Sequence, residues 1–116
     1  MMSFCRPFFL SAFLCVATQA VHAQMHFNNC DIVEIVVGQD PYNAHIQLSC
    51  VPSPQPPCAM GNPFVAFDKS TAAGRQFLAL FIMAQASGRK VSGFVDSSCA
   101  SFQTNVALLT QLRVQR

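Results

Sequence analysis

Residues 64–99 read FVAFDKSTAAGRQFLALFIMAQASGRKVSGFVDSSC, and the hydrophobic period changes twice within them. The short apolar run at 63–67 predicts a strand. Ser70-Thr71 then supply a helix cap. Ala73, Phe77, Leu80, Phe81 and Ala84 follow at i, i+4, i+7, i+8 and i+11, one stripe of a helix that runs to about residue 85 or 86. Ser87-Gly88 end it, with Gly88 in the position that favours a left-handed residue. Arg89 and Lys90 lie just beyond, where cations complement the helix dipole. A second short strand is expected over 91–95.

Outward from this centre the chain is β-patterned. Toward the N-terminus, residues 32–37 and 44–50 form two strands around the turn Gly38-Gln39-Asp40-Pro41-Tyr42-Asn43. Ala44, Ile46 and Leu48 share one face of the second strand; His45, Gln47 and Ser49 share the other. Residues 51–62 (VPSPQPPCAMGN) carry Pro52, Pro54, Pro56 and Pro57 and read as a loop. Toward the C-terminus, 105–114 read as a last strand, its alternation broken at Leu109. The expected order is β-β-β-α-β-β: mainly β with one helix, the order of a five-stranded OB-fold barrel. The competing architecture is an α+β sheet with one packed helix.

The central stretch resembles a group of small secreted bacterial proteins. Its marks are Phe67-Asp68-Lys69-Ser70, then Ala84-Gln85-Ala86-Ser87-Gly88-Arg89-Lys90-Val91, then Cys99. These resemble the OB-fold B subunits of AB5 toxins, particularly the subtilase cytotoxin B-subunit type. The likeness extends over about residues 32–114, with the specific motif in the central third. It implies an OB-fold, a ring-forming homo-oligomer, glycan binding and a secreted enzymatic partner subunit. No glycan-site residue transfers position by position, and the pair Cys30 and Cys50 is additional to the pattern.

The chain has 116 residues, 52% of them hydrophobic and 10% charged, with a formal net charge of +2. That is too apolar for a disordered chain and too weakly basic for a nucleic-acid binder. Residues 1–23 read as a signal peptide: Arg6, an apolar run over 7–17 too short to span a bilayer, and Val21-His22-Ala23 placing small residues before a cleavage point after Ala23. A secreted or periplasmic product over 24–116, with no membrane span, is the expectation. It retains Cys30, Cys50, Cys58 and Cys99, and four cysteines in a short exported chain predict two disulfides. A hairpin centred near Asp40 sets residue 30 opposite residue 50, which leaves Cys58 to Cys99. A symmetric register mismatches the apolar faces by one residue, so a β-bulge in the first strand is expected.

Neither catalytic nor metal-ligand spacing is visible. His45 has no nucleophile partner, the carboxylates are scattered, His26 falls in an expected flexible N-terminal arm, and no cofactor motif occurs. Asp68 is explained by the helix N-terminus. Two surfaces remain. Tyr42, Asn43, His45, Gln47 and Ser49 offer aromatic and polar groups suited to sugars around the first hairpin. Leu78, Ile82 and Met83, with Ala79, give the helix apolar residues outside its core stripe, a candidate oligomer interface. The function expected is a non-catalytic binding module; the alternative is a monomeric envelope protein that binds or inhibits a periplasmic partner.

Overall fold

A computed structural model describes residues 25–116. The expected signal peptide and its cleavage point after Ala23 lie outside the described residues. The elements are β1 (His26–Cys30), β2 (Ile32–Val37), β3 (Asn43–Leu48), a 3-10 turn (Pro57–Ala59), β4 (Phe64–Asp68), α1 (Ala72–Ser87), β5 (Val91–Ala100) and β6 (Gln103–Val114). They form one mixed sheet in the order β1-β5-β6-β4-β3-β2. All pairings are antiparallel except β4 with β6.

Among the described residues the protein is mainly β with one helix, but with six strands in place of five, and the helix follows the fourth. The added strand is β1, so His26 belongs to a paired element and not to a flexible arm. β1 is hard to see in the sequence because its buried residues, Phe27 and Cys30, are three apart. The register shifts between them, and Asn29 takes φ 54°, so the period-two signal is lost. Phe27 is seated opposite Gly93 of β5, where a Cβ would come within 2.8 Å of the Phe27 ring. The glycine leaves the space the ring fills. β5 and β6 also run longer than expected, meeting at the turn Ser101-Phe102.

The first hairpin has the anticipated bulge. Ile32 pairs with Leu48, but Glu34 pairs with Gln47, so Val33 is the extra residue on β2. The disulfide end therefore keeps the symmetric register, while Ile35 and Val37 align with Ile46 and Ala44. Both expected disulfides are present. Cys30–Cys50 joins the end of β1 to the residue pair after β3, and Cys58–Cys99 ties the 3-10 turn to β5, with Cα–Cα separations of 5.7 and 6.3 Å.

α1 is capped as expected. The Thr71 hydroxyl accepts from the Gly74 N–H at 2.9 Å. At the other end Gly88 has φ 68°; its N–H donates to Gln85 O and the Arg89 N–H to Ala84 O, a Schellman closure. The buried stripe is rotated from the expected one. Gly74, Phe77, Leu78, Phe81 and Ala84 face inward, while Ala73 is exposed and Leu80 half-buried. A count of apolar side chains selects Ala73, whereas close packing selects the residue with no side chain at all. Phe81 stacks on Phe67 of β4 at 5.9 Å between ring centres, and Phe77 meets Phe67 edge-on at 5.6 Å. Burying a ring of this size contributes about 1.5–3 kcal/mol. Ile46, Leu48, Val65, Val91 and Leu109 complete the main core. A smaller cluster, Ala66, Ala100 and Val106 with Phe64, Phe102 and Leu108 against it, lies on the opposite face of the sheet. Among the described residues, no helix is long and apolar enough to cross a membrane.

Candidate functional site

The turn between β2 and β3 is organised by Asp40. Its carboxylate accepts the backbone N–H of Tyr42 at 3.0 Å and of Asn43 at 2.6 Å, the arrangement that makes Asp a turn residue. The Lys69 ammonium donates to the Asp40 carbonyl and stands 4.0 Å from its carboxylate. The Lys69 N–H donates to the Tyr42 carbonyl at 2.8 Å. Tyr42 is thus held through both backbone groups while its side chain stays 50% exposed.

Facing Tyr42 across a cleft of about 310 Å³ are Asp68, Ser101 and Phe102. Asp68 ends β4, directly opposite Asn43. Its carboxylate accepts the Ser70 hydroxyl at 2.5 Å and the Ser70 N–H at 2.9 Å. These bonds hold its pKa below the usual carboxylate value, the Ser70 hydroxyl having the largest effect, so the cleft carries an anion at neutral pH. Phe102 packs on the smaller apolar cluster, which anchors the opposite wall.

Behind the cleft a polar chain crosses the sheet. The Asn43 Nδ2 donates to Gln103 Oε1 at 2.9 Å, and Asn43 Oδ1 lies 3.1 Å from His45 Nδ1. With the Asn43 nitrogen given to Gln103, its oxygen faces His45 and favours the tautomer protonated on Nδ1. The His45 ring meets Phe64 edge-on at 5.3 Å. Gln47 follows on the same face, opposite Phe64. Tyr42, Asn43, His45 and Gln47 therefore belong to one surface. Ser49 does not: its hydroxyl accepts the Asp31 N–H at 2.8 Å, and its own N–H donates to the Asp31 carbonyl, so it serves the corner between β1 and β2. Asp68, Ser101 and Phe102 join the surface without having been singled out as ligand residues. Asp68 carried a helix-terminus signal, but Thr71 is the cap and the Asp68 carboxylate instead closes the preceding turn onto Ser70; the turn 101–102 carried none.

Partial burial lowers the His45 pKa below its ordinary value of 6.5, and the charge of Glu34 opposes the shift. Folded protein disfavours the imidazolium; unfolded chain takes up the proton near the ordinary value. Between the two pKa values the unfolded state holds more protons, so stability is complete above this window and falls as pH drops through it. Urea midpoints should therefore be lower at about pH 5.5 than at about pH 8, and His45→Gln should remove that component. An unchanged slope in the variant refutes the assignment. The lowered Asp68 pKa acts only in more acid solution, and so does not mask the effect.

On the helix, Leu78 packs against the main core and so lies at the inner side of the stripe. Ile82 and Met83 are 51% and 42% exposed. Among the described residues, no three His, Cys, Asp or Glu side chains gather as metal ligands. No family model matches the chain, and no curated protein and no solved structure matches it.

Proposed function

We propose that the protein is a secreted or periplasmic binding module of the AB5-toxin B-subunit type, recognising a glycan through the Tyr42 cleft. The observation that carries the reading is the pairing of two aromatic residues, Tyr42 and Phe102, with a carboxylate and a hydroxyl, Asp68 and Ser101, around one concavity. Aromatic faces suit the C–H faces of a sugar ring, and an ionised carboxylate accepts its hydroxyls. The cleft also sits between the first-hairpin loop and the last β-turn, the loops through which OB-folds bind saccharides.

An OB-type barrel fits the same reading. β1 and β2 stand at the two ends of the strand order but are consecutive in the chain, separated only by Asp31. Taken as halves of one bent strand, they join β5 on one side to β3 on the other. The antiparallel bridge from His26 to Ser53 and the Cys30–Cys50 bond reinforce that seam. The β4–β6 pair supplies the parallel contact of the Greek-key arrangement. Exposed Ile82 and Met83 suit a homo-oligomer in which helices of several copies meet, with a secreted enzymatic subunit as partner.

A glycan array with the oxidised protein tests the reading, with light scattering of the same sample reporting its assembly. Retention of defined glycans is expected, and Tyr42→Ala should weaken their binding about tenfold or more with little change in melting temperature. An array with no retained glycan, or a Tyr42→Ala variant of undiminished affinity, overturns it.

A further inference from the structure

At the other end of β5 and β6 the charges are sorted. Arg89 and Lys90 follow the helix. Arg113 pairs with Ser92, and Gln115 donates its N–H to the Lys90 carbonyl, which brings Arg116 alongside. Four cations therefore share this end. The nearby acidic side chain is Asp31, paired with Lys90 at 2.9 Å. Asp40 stands in the first-hairpin turn and Asp68 at its cleft, Glu34 within the β2–β3 pairing and Asp96 farther along β5. The protein is close to neutral as a whole but has a distinctly positive end.

That end is concave. Arg89, Lys90 and Arg116 border a cleft of about 640 Å³ together with Asn29, Gly88 and Gln115. Behind it is Ser92, fully buried. Its hydroxyl accepts the Asn29 N–H at 3.0 Å and the Gln115 side-chain amide at 2.6 Å, and donates to Asn28 Oδ1 at 2.8 Å. The buried hydroxyl thus fixes two members of the cleft. With its amide nitrogen committed to Ser92, Gln115 offers a carbonyl oxygen, which is an acceptor for a hydroxyl and not for a bare anion. At Gly88 a Cβ would meet nothing within 4 Å, so the rim is open there.

We propose that this cleft binds an anionic saccharide, a sugar carrying sulfate or phosphate groups. Arginine and lysine supply charge-assisted bonds to those groups, while the neutral amides of Asn29 and Gln115 match sugar hydroxyls. A nucleic acid fits less well because no aromatic side chain lines the cleft to stack a base. A membrane surface fits less well because the cations ring a concavity whose lining includes no apolar side chain. The exposed Lys90–Asp31 pair is weak and yields Lys90 to a stronger anion.

The test uses the oxidised protein, a heparin-derived hexasaccharide and its desulfated counterpart, with titration calorimetry in low-salt buffer. The sulfated probe should bind, more weakly as salt is added, and the desulfated one should not. Arg89→Gln and Arg116→Gln should each lower affinity about tenfold. Arg75→Gln, which removes the same charge at the start of the helix, should leave it unchanged, and an excess of the uncharged glycans retained on the array should not displace the hexasaccharide, which separates this cleft from the hairpin site. Absence of binding, equal binding of the desulfated probe, or equal losses from Arg75→Gln and Arg89→Gln overturns the proposal. So does capture by phosphatidylserine vesicles without binding of the hexasaccharide.

Discussion

Gly74→Ala should lower the stability of the protein by about 3 kcal/mol, the net of a small gain and a larger loss. Alanine is the better helix former by about 1 kcal/mol, so propensity alone predicts a more stable variant. Packing reverses the sign. An added Cβ would stand 1.8 Å from the Asp68 carbonyl oxygen, 2.7 Å from its carbon and 3.0 Å from the Thr71 hydroxyl. Two of these atoms are backbone and cannot rotate aside, so the first turn of α1 must lift from the end of β4. Overpacking of this kind costs about 1–3 kcal/mol and at times more. Here it also strains the Thr71 cap, worth about 1 kcal/mol, and the Phe67–Phe77–Phe81 packing just beyond. In a domain of this size the melting temperature should fall by roughly 10–20 °C, measured by circular dichroism. Ala79→Gly, at an exposed helix position, should cost only about 1 kcal/mol. If Gly74→Ala melts at or above the parent temperature, the helix is not seated on that carbonyl. Because Asp68 also supplies the carboxylate of the hairpin cleft, the glycan affinity proposed for that cleft should fall with stability in this variant.

Removing the Cys58–Cys99 bridge by paired alanine substitution should cost about 4 kcal/mol, the chain-entropy value for its separation of 41 residues. The Cys30–Cys50 bridge, with a separation of 20, is worth about 3 kcal/mol on the same basis. Each is a large part of the roughly 5–15 kcal/mol by which a domain is stable. The longer bridge also holds the proline-rich loop to β5 shortly before the Ser101-Phe102 wall of the cleft. Urea unfolding of the oxidised parent and of both paired variants measures these costs. A loss below about 1 kcal/mol for the Cys58/Cys99 variant would mean that the loop is held without its covalent tie. Mild thiol treatment should open Cys58–Cys99 first, because Cys58 is exposed whereas Cys30 is 1% exposed.

The bulge at Val33 shows what local pattern can carry. Two requirements conflict in the sequence, the apposition of Cys30 with Cys50 and the alignment of Ile35 and Val37 with Ile46 and Ala44. One extra residue on β2 satisfies both. β1 shows the opposite case. Its strand character depends on Gly93 accepting Phe27 from a segment far away in the chain, and nothing in HFNNC announces that. The helix lies between these cases. Both of its ends are legible in residues 70–71 and 87–88, yet the face it buries is turned by the contact of Gly74 with Asp68.

From residue order alone came the strands β2 to β6 and the helix, the helix ends, the two cysteine pairs and the polar face of β3. Each depends on side chains a few positions apart, whose period or turn chemistry is set by the covalent chain itself. The assembly of Tyr42, Asp68, Ser101 and Phe102 into one cleft, and of Arg89, Lys90 and Arg116 into another, was settled only by the fold. Those residues meet because β4 lies between β3 and β6, and because β5 returns along β6. Strand neighbours of this kind are chosen by the burial of the whole sheet against α1, a cooperative quantity that no short stretch of sequence contains.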